Sequence, residues 1–193
     1  MPSLLVLVLA NLIPVVGILF FGWSQDQVLL LYWSESAVIG VYTLLKMAFS
    51  KGVSVDKKVM RLLKPFLMVF FIVHFGFFMY GHLDFLIFFA LHLSNPSLGG
   101  ALPLVYGVLP WLLLLFLSHG FSFVTNFMAK GEYKTATAAS LFFAPYPRIF
   151  IMQVAIIFGA IFGLSGIILV LGKTVLDAYA HVKEHKEIFW IKN

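Results

Sequence analysis

The chain has no cysteine, which removes disulfides, thiolate zinc sites, iron–sulfur clusters and a cysteine nucleophile together. Any bound metal would have to be held by His, carboxylate, amide or Met. Charge is scarce too: Asp, Glu, Lys and Arg make up 11% of the 193 residues, too little to cover a surface facing water. No GxSxG, HExxH or phosphate-cradling glycine loop occurs, so no local motif brings a reaction with it. What the chain has is apolar length, 62% hydrophobic and 17% aromatic. Its solvent is lipid.

The expected architecture is one all-α transmembrane domain, a helix bundle over residues 1–193. Its spans fall at about 3–21, 28–49, 65–93, 104–128 and 149–171, followed by a tail over 172–193. The formal charge of +5 comes from basic residues gathered between the apolar runs, where anionic head groups and the positive-inside bias account for them. The expected partners are therefore the bilayer and its anionic lipids. Nucleic acid is not called for, a homo-oligomer is left open, and the location is a multi-pass position in the cell membrane.

The first run lacks a basic n-region, contains Pro14 and ends in FFGW, so it reads as a retained span rather than a removable signal. Asn11 is its lone polar residue, and Trp23 stands where an interfacial anchor is expected. Ser24 or Asp26 can cap the next helix. Glu35 lies ~10 Å inside that second span and needs a partner there. Tyr32, Glu35, Tyr42 and Lys46 recur at helical spacing, which puts one polar stripe down a single face.

The segment 50–64 carries Lys51, Lys57, Lys58, Arg61 and Lys64 and is expected on the cytoplasmic side as a short amphipathic helix on anionic lipid. Pro65 then opens the most apolar run at a first helical turn. Within it His74 falls ~14 Å deep and His82 ~26 Å deep. Asp84 lies on the other side of His74, and His92 lies near the outer end. Gly76 and Gly81 offer close approach to another helix. After an outer loop, SNPSLGGALP, the fourth span sets His119, Ser122 and Asn126 in a polar line, with His119 at a depth close to that of His74. PYPRIF (Pro145 to Phe150) breaks regular helix because Pro147 disfavours the α region at Tyr146. The tail spaces Asp177, His181 and His185 four residues apart, which suits either a divalent metal or an ion pair. Five spans leave this basic tail outside, against the positive-inside bias, unless 136–171 holds a re-entrant piece.

Two polar layers follow from these depths: Glu35, His82 and Asp84 in an outer one, His74 and His119 in an inner one. If they converge, Glu35, His74, His82, Asp84 and His119 form an N/O metal site for Zn, Fe, Cu, Ni or Mn, or His74 and His119 hold a haem between them. If they stay at separate depths, they form a proton or ion path. The third alternative is a structural membrane protein in which the same groups only join helices.

Taken together, NLIPVVGILFFGW (Asn11 to Trp23), LLYWSESAVIG (Leu30 to Gly40), VHFGFFMYGH (Val73 to His82), PYPRIF and GKTVLDAYAH (Gly172 to His181) resemble a family of small prokaryotic integral membrane proteins known only as a domain of unknown function. The likeness extends over nearly the whole chain and rests chiefly on the YW-x-E element at Glu35 and on the His74/His82 pair. Asn is commoner in that family at the position of Ser36, and His at the position of Gln153, so a metal site that needs a ligand at Gln153 is in doubt here. The resemblance implies a membership and no activity.

Overall fold

The computed structural model describes residues 13–52, 57–90, 98–147, 149–150, 153–154, 157, 170–172 and 174–175. The expectations for Asn11, His92, Asp177, His181 and His185 lie outside them. The described residues form helices and no strand. They are α1 (Ile13–Phe21), α2 (Gln25–Phe49), α3 (Lys57–Phe85, continued by a π-helical stretch Leu86–Ala90), α4 (Leu98–Ser122, continued by a π-helical stretch Phe123–Ala129), a 3₁₀ turn Glu132–Lys134 and the short α5 (Ala138–Phe143). Among the described residues three stretches are long and apolar enough to cross a membrane: Asp26–Phe49, Leu62–Phe88 and Tyr106–Ala129.

The first turn is built by Gly22, whose positive φ of 64° lets α1 end and reverse without a Cβ clash. Trp23 folds back, its N–H donating to the Gly17 carbonyl (3.1 Å). Its ring is 7% exposed and lies edge-on to Trp111 at 5.4 Å. Trp23 is thus a packing residue of the α1/α4 contact rather than an outward-facing anchor. Of the two capping candidates, Ser24 serves: its Oγ accepts from the Gln27 N–H and Gln27 Oε1 accepts from the Ser24 N–H, a complete capping box,.

The helix around which the others pack is α2, which is in contact with α3, α4 and α5. About 61% of its spanning window is buried, against 17% for α3 and 6% for α4. The most apolar run of the sequence therefore lies at the rim of the bundle, not at its centre. Trp33 Nε1–H donates to the Met79 carbonyl at 3.0 Å and Gly40 receives the Phe75 ring, so α3 runs antiparallel to α2. Phe71, Phe75, Met79, His82 and Leu86 make one buried stripe on α3. On the other flank Tyr32 and Glu35 share a cavity wall with Trp111 and Leu115, Tyr42 O–H donates to the Phe116 carbonyl at 2.9 Å, and Phe49 meets Phe123. The rising numbers on both helices make α2 and α4 parallel.

With lipid outside, burial of apolar surface does little to hold helices together; close backbone approach and interhelical hydrogen bonds do more. Gly40 and Gly120 provide the approach, since a Cβ at either would run into Phe75 or the Tyr42 hydroxyl. Gly76 and Gly81, expected in this role, have nothing within 4 Å of a built Cβ.

Lys57–Lys64 belong to α3 itself, so the basic segment makes no separate amphipathic helix and Pro65 stands well inside α3. A proline there removes one N–H, which membrane helices tolerate where neighbouring groups serve the freed carbonyl. Leu98 to Pro103, expected in the outer loop, already belong to α4. The α2 end is tied to the segment after α4: the Lys51 N–H donates to the Tyr133 carbonyl (2.7 Å) and the Gly52 N–H to the Ala136 carbonyl (3.0 Å). Both basic stretches thus lie at one end of the bundle, as the positive-inside reading requires of them. From there α5 ascends beside α3, Phe142 meeting Phe71 and Tyr146 meeting His74. The chain breaks at Ala144–Pro145, then re-enters helix at Tyr146 and Pro147. The Ile149 N–H donates to the Pro145 carbonyl. Pro147 is accommodated because it falls in a first turn, where its missing N–H has no helical partner to lose.

Candidate functional site

The stripe expected on α2 is present, and it faces α4. At its outer part Tyr32, 2% exposed, and the half-buried Glu35 border a cavity of about 30 Å³ completed by Ile13, Pro14, Leu31, Trp111 and Leu115. By size it has room for roughly two waters. Its lining residues are apolar apart from Glu35 and Tyr32. Proline and glycine near the start of α1 let that helix lie close: Pro14 and Gly17 are its buried residues. Two turns further, or ~10 Å, Tyr42 is 9% exposed and packs edge-on to the His119 ring at 6.1 Å. Lys46 closes the stripe with Nζ 5.7 Å from the Phe127 ring centroid.

The polar line on α4 divides. His119 is half-buried against Tyr42, whereas Asn126 Nδ2 donates to Ser122 Oγ within the helix at 3.2 Å and Thr125 Oγ1 to the Phe121 carbonyl. These last bonds lie at the junction with the π-helical stretch, where the wider turn leaves carbonyls for side chains to meet.

The two expected layers do not assemble as layers. His82 is 6% exposed and sits in the stripe of α3, edge-on to Phe78 at 4.6 Å, with Nε2 unpartnered among the described residues. Asp84, two residues on, is exposed. It is the last residue but one of the α-helical part of α3 and lies about one turn before the spanning stretch ends at Phe88, where its carboxylate can reach the head-group region. Neither lines the Glu35 cavity. His74 and His119 are at matching levels, as expected, because His74 adjoins Phe75, which packs on Gly40, while His119 packs on Tyr42. They nevertheless face different neighbours. His74 is exposed and stacks on Phe70 at 5.4 Å with Tyr146 at 5.9 Å. Among the described residues no three His, Cys, Asp or Glu are placed to hold one metal ion.

Sequence reading missed the α4 side of the cavity, since Trp111 and Leu115 look like ordinary lipid-facing residues. It also missed two buried atoms near the foot of the fifth run that have no partner among the described residues, Tyr146 Oη and Gln153 Oε1. Burial holds the Tyr146 hydroxyl above the ordinary phenol range,. No polar signal marks the first group; the i, i+7 spacing of Tyr146 and Gln153 would have marked the second.

No significant match is found among curated proteins or among solved structures. One family model does match, over residues 1–188, and the chain accordingly belongs to the family of unknown function DUF6498.

Proposed function

We propose that this is a multi-pass protein of a prokaryotic plasma membrane, a single domain with its N-terminus cytoplasmic, that moves protons along the α2–α4 seam. Glu35 takes them up and releases them. The observation that carries the reading is the cavity at Glu35: a carboxyl in the middle of a spanning helix, beside space for about two waters. Tyr42 and Lys46 continue the same face toward the basic end, with His119 of α4 against Tyr42. Groups at successive depths suit a path, whereas a metal or haem held by Glu35, His74, His82, Asp84 and His119 asks for convergence, and their different neighbours favour it less.

The second reading, a structural bundle, draws on the Tyr42 hydroxyl, which is committed to the Phe116 carbonyl. Proteoliposomes with an imposed pH gradient separate the two. Glu35→Gln should reduce proton flux at least tenfold and His119→Phe should reduce it as well, while His74→Ala, off the seam, leaves it unchanged. Flux that is the same with and without the Glu35 carboxyl would leave the structural reading standing alone.

A further inference from the structure

The geometry points to a binding site for the phosphate of an anionic phospholipid at the end of the bundle where α2 and α4 finish. Three separate segments deliver cations there. Lys51 follows α2, Lys64 comes from α3, and after α4 Lys130 precedes the 3₁₀ turn and Lys134 ends it. The backbone bonds from Lys51 to Tyr133 and from Gly52 to Ala136 fix these segments against one another, so the cluster is a feature of the fold and not of free side chains.

Two details give the cluster a direction. The C-terminal carbonyls of α2 would repel an anion, because a helix ends in partial negative charge. Lys64 answers them: its Nζ donates to the Ala48 and Ser50 carbonyls at 2.7 and 2.9 Å. That leaves Lys51 and Lys134 for something else. Both ammonium groups are gathered on the Tyr133 ring, 5.2 and 6.0 Å from its centroid, inside cation–π range. Like charges held on one ring repel, and a phosphodiester between or beside them relieves that repulsion. Glu132 is the one acidic residue of this turn, and it is exposed.

A lipid is the occupant that fits, rather than a free anion, because apolar surface adjoins the cations. Phe49, directly before Ser50 and Lys51, is 48% exposed. A head group on Lys51, Tyr133 and Lys134 leaves its acyl chains along that surface. The site is independent of proton movement along the seam.

The test is native mass spectrometry of the full chain released from detergent, with palmitoyl-oleoyl phosphatidylglycerol, the matching phosphatidylcholine, and inorganic phosphate as probes. Phosphatidylglycerol should be retained in preference to phosphatidylcholine. A lysine near an anionic surface contributes roughly fivefold, so K51Q/K134Q should weaken retention about thirtyfold, and K51R/K134R should restore it. Should the glutamine pair lose its helical circular dichroism, raising salt on the unaltered protein serves instead, since retention must then fall. Equal retention of the two lipids, phosphatidylglycerol binding indifferent to both the substitutions and salt, or binding of inorganic phosphate as tight as that of the lipid would each overturn the assignment.

Discussion

Two chemically identical substitutions, Gly40→Ala and Gly76→Ala, should have opposite effects on stability. Both replace a helical glycine and both raise helix propensity, by about 1 kcal/mol at most. At Gly76 the new methyl meets nothing within 4 Å, so the variant keeps that gain. At Gly40 the methyl would run into Phe75 Cε1 and stand 2.7 Å from Cζ. Phe75 cannot swing aside cheaply: it is 7% exposed and stacked on Phe71 at 4.8 Å and 12°. Forcing a methyl into such a site costs about 1–3 kcal/mol. Because the propensity term is common to both, the difference between the variants isolates the α2–α3 contact, and it should come to about 1–3 kcal/mol. Unfolding in mixed micelles of increasing dodecyl sulfate, followed by circular dichroism, measures it. If the two variants unfold at the same detergent fraction, α3 does not lie on α2 at Gly40 and the antiparallel pairing described above is wrong.

Other contacts give further expectations. Tyr42→Phe removes the hydrogen bond to the Phe116 carbonyl and should cost about 0.6 to 1.7 kcal/mol in the same assay. Lys64→Met withdraws both donors from the end of α2, so amide exchange at Ser50 to Gly52 should quicken several-fold while the middle of α2 is unaffected; unchanged exchange there would deny Lys64 its capping role. Tyr146 is an acid whose burial favours the neutral form. The unfolded chain loses that proton near pH 10, before the folded protein does, so stability is unaffected below that pH and falls as pH rises beyond it. Tyr146→Phe should flatten this alkaline decline in a thermal melt taken at successive pH values; an identical decline would place the cause elsewhere.

The sequence made the stripe on α2 legible because helical periodicity survives any environment: Tyr32, Glu35, Tyr42 and Lys46 had to share a face, and that face is the seam. The central helix was not legible, and the reason is the solvent. In water the most apolar helix goes inside. In lipid it faces out, and the helix that others touch carries the small and hydrogen-bonding residues. Of the three long stretches α3 has the highest mean hydropathy and α2 the lowest, and α2 holds the buried Ser34, Ser36 and Thr43. Ser34 and Ser36 donate to carbonyls four residues back, so they need nothing from outside. His74 and Asp84 escape sequence reading for the same reason, since a polar residue in an apolar run reads as turned inward and both are exposed. Depth along one helix says nothing about which neighbour a side chain meets, which is why His74 and His119 match in level yet face different neighbours.

That the hub α2 precedes α3 and α4 in the chain has a consequence for assembly. A chain leaving the ribosome delivers the hub before either of them, and each later helix meets a surface already in the membrane. The α3 flank of α2 is covered first. The α4 flank must wait while the 48 residues between Phe49 and Leu98 are made, about 2 to 10 s at ordinary synthesis rates. During that interval Glu35 faces lipid or the translocation machinery without Trp111 and Leu115 beside it. Its carboxyl therefore meets the membrane before the seam that later surrounds it exists.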